Sequence, residues 1–221
     1  ERTDMSESKN MGLGTRAYEK GLHDLGNGGY AWLQPDGGWG WSNAGLIVDG
    51  DASLVVDTLF DKPLTRDMLN AMSGAEPAAT TTYDLLVNTH SNGDHCNGNE
   101  LVTGAEIISS HACFEELSRE NPAMMLTLME QASEMGEVGE FFQYCFNAFD
   151  FRDIHHTLPT RTFEGALDVT VGDKAVHLEQ VGPAHTEGDV LVYVPKDRLI
   201  FTGDILFIEG HPILWAGPVQ N

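Results

Sequence analysis

The sequence predicts an α/β sandwich, two β-sheets with helices on the outside. Short apolar and β-branched runs bounded by Gly, Asp and Pro turns occupy both halves of the chain, and segments with helical spacing lie between them. One apolar run, Tyr83-Asp84-Leu85-Leu86-Val87, leads directly into a loop dense in potential ligands, as a buried strand does when its C-terminal end carries a site.

Taken in chain order, residues 1–29 are polar and glycine-rich, end in Gly26-Asn27-Gly28-Gly29, and read as an N-terminal arm or lid. Residues 30–221 then form the domain. Strands are expected at 30–33 and 46–48, flanking a loop with Trp39 and Trp41, and at 53–57 after the tight turn Asp49-Gly50-Asp51. Residues 62–72 have apolar positions at helical spacing, with Pro63 suited to a first turn and Gly74 to the stop. Residues 105–109 read as a strand. A helical insertion at about 112–150 follows, and its Met124, Met125, Met129, Phe141, Phe142 and Phe146 read first as core or dimer contact, with an apolar substrate cavity as the alternative. A second run of strands is expected at 163–171, 176–181, 190–194 and 199–201, punctuated by Gly172-Asp173 and Pro195-Lys196-Asp197.

At 221 residues the chain suits one domain, enough to bury about 70% of its unfolded surface without staples. Its 34 acidic residues against 12 basic give a net charge of −22, which repels phosphate backbones and anionic headgroups. The expected partner is therefore a small-molecule substrate, with no nucleic acid and no membrane, and a homodimer left open. Cys96, Cys113 and Cys145 cannot all pair and lack Cys-x-x-Cys spacing, which points to a reducing, cytoplasmic compartment. The polar start is unlike a signal peptide, although with Glu1 in place of an initiator Met a removed leader stays open.

The chemistry concentrates in Thr89-His90-Ser91-Asn92-Gly93-Asp94-His95-Cys96. Imidazole nitrogen and carboxylate oxygen together suit Zn2+, with iron or manganese as second choices, and such ions generate hydroxide near neutral pH. The loop resembles the His-x-His-x-Asp-His signature of the metallo-β-lactamase superfamily, with His90, Asp94 and His95 in register and Asn92 where the second His is usual. Gly182-Pro183-Ala184-His185-Thr186-Glu187-Gly188-Asp189 resembles the family's second ligand loop, and Phe201-Thr202-Gly203-Asp204 the strand end that carries a metal-bridging Asp.

The resemblance implies an αββα sandwich of two mixed β-sheets with outer helices from about Tyr30 onward. It also implies one or two zinc ions. One is held by His90, position 92 and His185, the other by Asp94, His95 and a His near the C-terminus. Asp204 bridges the two, and Asp94 and Asp204 carry the catalysis. Asn92 departs from the pattern, because a carboxamide oxygen binds more weakly than imidazole; it either ligates poorly or merely caps the turn beside Gly93. No Pro-Gly-His-Gly motif precedes Asn221, so the chain is expected to be truncated, without the final ligand and the closing helix and strand. The last His, His211, reads as a loop residue near the site mouth, not a replacement.

Asp57 resembles the family's supporting Asp beneath the ligand loop, with a plain strand-end Asp as the alternative. Trp39 and Trp41 either edge the substrate opening or pack on the surface. Cys96 reads as a buried thiol, while His155 and His156, adjacent on an extended chain, read as non-ligands. The expected activity is a metal-dependent hydrolase that opens an ester, lactone, thioester or amide with metal-bound hydroxide. The alternatives are a mononuclear iron oxidoreductase of the persulfide dioxygenase type and a non-catalytic scaffold with a decayed metal site.

Overall fold

Strands β1 (Gly21–Gly26), β2 (Gly29–Leu33), β3 (Ala44–Asp49) and β4 (Ala52–Val56) form an antiparallel meander, and this computed structural model describes residues 19–35, 38–208, 210 and 213–217. Three further strands extend it in parallel: β5 (Leu85–Val87), β6 (Glu106–Ser110) and β7 (Arg161–Phe163). The seven strands lie in chain order in one sheet. A second, antiparallel sheet follows from β8 (Ala166–Val171), β9 (Lys174–Gln180), β10 (Val190–Val194) and β11 (Leu199–Phe201).

Alternation of side chains along each strand explains the layering. Leu46, Val55 and Leu86 project to one face of the first sheet and pack on Met68 and Met72 of helix α1 (Lys62–Ala75). Ile47, Leu54, Val56 and Val87 project to the other and meet Val176, Leu178, Val190 and Val192 of the second sheet. Both faces of the first sheet are thus buried, which is why its central strands read as continuous apolar runs. The outward side chains of the second sheet, such as Thr170, Glu179 and Tyr193, are exposed.

α1 begins where expected, with the Asp61 carboxylate accepting from the Leu64 amide and Pro63 in the first turn. It runs past Gly74 to Ala75, because its stop comes from the chain turning at Glu76 and not from the glycine. The expected strand at 163–171 is two: at Gly165, with φ of 68°, the chain leaves the first sheet and enters the second. β1 lies inside the stretch that reads as an arm. It has no apolar alternation and joins the sheet through its backbone ladder to β2, which composition does not report.

The insertion folds as α3 (His111–Leu117), α4 (Ala123–Gln131) and α5 (Glu137–Phe146), after a short helix α2 (Gly93–Cys96) in the ligand-rich loop. α4 buries no residue fully, yet Met125, Leu126, Met129 and Phe146 pack against Phe60, Phe149 and Phe151. Core packing is therefore one part of what its methionines and aromatics do. Among the described residues no helix is long and apolar enough to cross a membrane.

Candidate metal centre

Three chain segments converge where the strands of both sheets end. β5 runs out into His90, Asn92, Asp94 and His95, the β9–β10 loop brings His185, and the chain after β11 brings Asp204. Ligand atoms of His90, His185 and Asp204 all lie within 4.8 Å of one another. The Asp204 carboxylate faces two ways, with Oδ1 3.3 Å from His95 Nε2 and Oδ2 3.6 Å from His185 Nε2. Asp94 Oδ2 lies 3.8 Å from the same His95 nitrogen. Bonds of about 2.1 Å at a tetrahedral angle separate neighbouring ligand atoms by about 3.4 Å. The spacings around Asp204 are close to that value.

The hydrogen bonds behind the imidazoles fix their tautomers. His95 Nδ1 donates to Asp57 Oδ2 at 2.9 Å, and His185 Nδ1 to the Ile213 carbonyl at 2.5 Å. Thr89 Oγ1 donates to Asp57 Oδ2 at 2.7 Å and so accepts from His90 Nδ1 at 3.0 Å. Each ring therefore turns Nε2 into the common space. For His90 and His95 that nitrogen is buried and has no hydrogen-bond partner. An orphaned buried polar atom is costly unless something else occupies its lone pair, and a divalent cation fits the donor set.

Asn92 precedes α2 but makes no capping bond; its Nδ2 lies 2.9 Å from His185 Nε2. Thus the carboxamide sits in the cluster, on the very nitrogen a cation would need. Cys96 is buried, its Sγ donating to the His90 carbonyl at 3.1 Å. His155 and His156 lie outside the cluster, the first on Glu100 and the second bonded to the Leu117 carbonyl. His211 falls outside the described residues.

Several supports escape sequence reading because their partners are remote in the chain. Thr89 relays Asp57 to His90. Ser42 Oγ donates to the Asp94 carbonyl at 2.5 Å, and the Trp215 amide to the His185 carbonyl at 2.9 Å. Glu116 of α3 clamps both ligand loops, accepting from Ser91 Oγ at 2.9 Å and from the Glu187 amide at 3.3 Å. The Thr89 hydroxyl directly before His90 was the available signal for the first of these.

Burial pushes the Asp94 carboxyl up, with His95 offsetting part of it. Burial also raises Asp204, but His95 and the other imidazoles outweigh it and hold the carboxyl below its usual range. His90 is driven well below the usual imidazole value by burial, then by the neighbouring His95. For His95 burial lowers the value, yet Asp204, Asp94 and Asp57 together overcome it and raise it well above 6.5. The carboxylates around His95 thus favour its protonated form in the metal-free protein, and the stability this contributes is fully present below pH 6.5 and lost as pH rises through the raised value. A cation must displace that proton. Calorimetric titration with zinc at pH 7, in buffers of different ionisation enthalpy, should read release of about one proton per chain, with affinity falling as pH falls. Uptake with no proton release would contradict this pairing.

A cavity of about 600 Å³ opens beside the cluster, reached by Asn92, Asp94, His185 and Asp204 and walled by Trp39, Trp41, Met124, Met125 and Phe146 among others. Trp39 stands within an aromatic group with Phe141 and Trp215, at centroid distances of 6.3 and 6.4 Å. Both tryptophans and part of the insertion therefore border the site, in addition to packing on one another.

The two-sheet sandwich with His and Asp side chains gathered at the strand ends is an α/β fold that carries a candidate divalent-metal site. Residues 37–219 match the model of the metallo-beta-lactamase superfamily, and the chain belongs to that superfamily, whose members are commonly hydrolases and generally bind divalent metals. Among solved structures it is similar to a metallo-beta-lactamase from Pontibacter korlensis, at 17% identity and a TM-score of 0.56 over 83% of this chain and 71% of that one. It is also similar to the stereoselective inverting sec-alkylsulfatase Pisa1 from Pseudomonas sp., at 14% identity and a TM-score of 0.57. That likeness covers 80% of this chain but only 30% of the sulfatase. No curated protein matches the sequence. At these identities the structural likeness speaks to the fold.

Proposed function

We propose that this chain is a metal-dependent hydrolase that opens a carbonyl ester, lactone, thioester or amide bond. The observation that supports it best is the set of imidazoles from His90, His95 and His185, each with Nδ1 committed to a hydrogen bond, with Nε2 of His95 and His185 facing Asp204 and His90 beside them. His90, His185 and Asp204 would hold one cation, with Asn92 beside them, and Asp94, His95 and Asp204 a second. A divalent ion there supplies Lewis acidity toward a carbonyl oxygen and makes water acidic enough to ionise near neutral pH.

The chain's own groups do the rest. Asp57 and Thr89 hold two of the rings in one tautomer and orientation, so the site does not reorganise during reaction. Asp94 lines the cavity, and burial raises its proton affinity. Water adds to the substrate carbonyl, and the bond to the leaving oxygen, sulfur or nitrogen breaks. Asp94 takes a proton from that water and returns it to the leaving atom, yielding the acid and the alcohol, thiol or amine.

A second reading has an observation of its own. His90, His185 and Asp204 are two imidazoles and one carboxylate, the set used by mononuclear iron oxygenases, and the Asn92 amide weakens the neighbouring position. Elemental analysis of protein purified without added metal, paired with hydrolysis of a carbonyl-ester panel, separates the two. Zinc with ester hydrolysis supports the hydrolase; a single iron, oxygen uptake and inert esters overturn it. In the hydrolase, Asn92→His should raise zinc content toward two ions per chain, because it replaces a carboxamide by an imidazole in the same place. An unchanged single ion would show that Asn92 is not what limits loading.

A further inference from the structure

Helix α3 of the insertion touches both ligand loops, which come from different sheets. Against the first loop, its Cys113 and Leu117 pack with Cys96, the residue after His95. Against the second, Ser110 at the start of α3 accepts from the Cys113 amide at 3.1 Å and donates its hydroxyl to the Gly188 carbonyl at 2.6 Å. A Cβ at Gly188 would collide with the Cys113 amide nitrogen and the Ser110 hydroxyl, so the glycine lets the loop backbone lie directly on the first turn of α3. Glu116 then joins the loops to each other. Its Oε2 accepts from Ser91 Oγ at 2.9 Å and its Oε1 from the Glu187 amide at 3.3 Å, one oxygen for each loop.

The places it holds matter. Ser91 stands between His90 and Asn92, and Glu187 two residues after His185. The His90 and His185 rings, 4.9 Å apart between centroids, come from opposite sheets, so the spacing of their ligand nitrogens follows the spacing of the loops. The Val190 amide joins the loops where they leave their strands, donating to the Thr89 carbonyl at 2.8 Å, and Glu116 joins them further along. The Asn92–His185 contact also links them, but through the very nitrogen that a cation would take. Glu116 spends no ligand atom. We propose that Glu116 is a positioning residue for the metal centre, fixing the separation of the two ligand loops and with it the spacing of His90 and His185. The inference rests on the cation sites of the proposed function and not on the bond that is opened there.

The test strips metal from the full chain and titrates it with cobalt(II), whose visible absorption reports coordination geometry without turnover. Glu116→Ala should bind cobalt about ten- to a hundredfold more weakly than the parent and alter that absorption, while the metal-free protein melts within about 5 °C of the parent. Glu116→Gln should restore both affinity and absorption, because its carbonyl can accept from the Glu187 amide and its amide can donate to Ser91 Oγ. Ser91→Ala removes one arm alone and should cost about tenfold. Ser91→Ala combined with Glu116→Ala should match Glu116→Ala within about twofold, since loss of the carboxylate already silences the Ser91 arm. Cobalt affinity unchanged in Glu116→Ala, or single losses that multiply in the double variant, overturns the proposal. So does a Glu116→Ala chain that fails to fold beside a Ser91→Ala chain that binds cobalt like the parent, which would make Glu116 a fold residue. A parent that takes up no cobalt overturns this inference and the hydrolase reading together. Cobalt binding that depends on Glu116 while carbonyl esters stay intact keeps this inference and removes the hydrolase reading; ester hydrolysis with cobalt affinity indifferent to Glu116 does the reverse.

Discussion

Replacing Asp204 by Ala should abolish ester hydrolysis, by on the order of a thousandfold or more, and lower the metal content of the purified protein. The reason is geometric. Its two carboxylate oxygens lie 3.3 Å from His95 Nε2 and 3.6 Å from His185 Nε2, so one side chain serves both halves of the cluster. It also holds charge. The imidazoles keep the Asp204 carboxyl ionised below the usual range, and its removal leaves His95 with Asp94 and Asp57 alone. Metal-free Asp204→Ala should therefore lose the His95 proton at lower pH than the parent, which NMR titration of the ring can read. Retained metal together with unchanged turnover would remove Asp204 from the mechanism.

The second large effect is expected at Asp57, which never reaches the cavity. It is buried and accepts from the Thr89 amide, the Thr89 hydroxyl and His95 Nδ1, at 2.7, 2.7 and 2.9 Å. Asp57→Ala strands three buried donors and places Ala at a φ of 62°, a left-handed value that Asn and Asp tolerate better. A loss of about 3–5 kcal/mol follows, or about 10 °C in melting temperature. Asp57→Asn keeps the shape and the backbone preference but offers a single oxygen, so it should melt closer to the parent. Both variants should bind zinc ten- to a hundredfold more weakly, because the tautomers of His95 and, through Thr89, His90 are no longer held. If Asp57→Asn binds zinc like the parent, Asp57 is a fold residue only.

These two residues also mark how far the chain could be read before folding. Ligand candidates were legible because they fall in short local motifs at strand ends, and Asp57 because, at the end of a strand, it resembles the family's supporting Asp. The central strands were legible for a related reason: both faces of the first sheet are covered, so Leu46-Ile47-Val48 and Leu54-Val55-Val56 show uninterrupted apolarity. What escaped was long-range. β1 owes its place to a backbone ladder, and the break between β7 and β8 to a change of sheet at Gly165. Likewise the Asn92–His185 contact joins residues from different sheets, and no local pattern forecasts that an amide will rest on that nitrogen.

The centre straddles the sandwich, with His90, Asp94 and His95 issuing from the first sheet and His185 and Asp204 from the second. A cation shared among them would act as a cross-link that closes the intervening chain into a ring, and the restraint from such a closure grows with the logarithm of its length. Within that ring lies the whole insertion that roofs the cavity, tethered at one side by Glu116 to both ligand loops. With such a cross-link in place, metal occupancy and the shape of the cavity would be a single mechanical variable: what loosened the clasp would also slacken the roof.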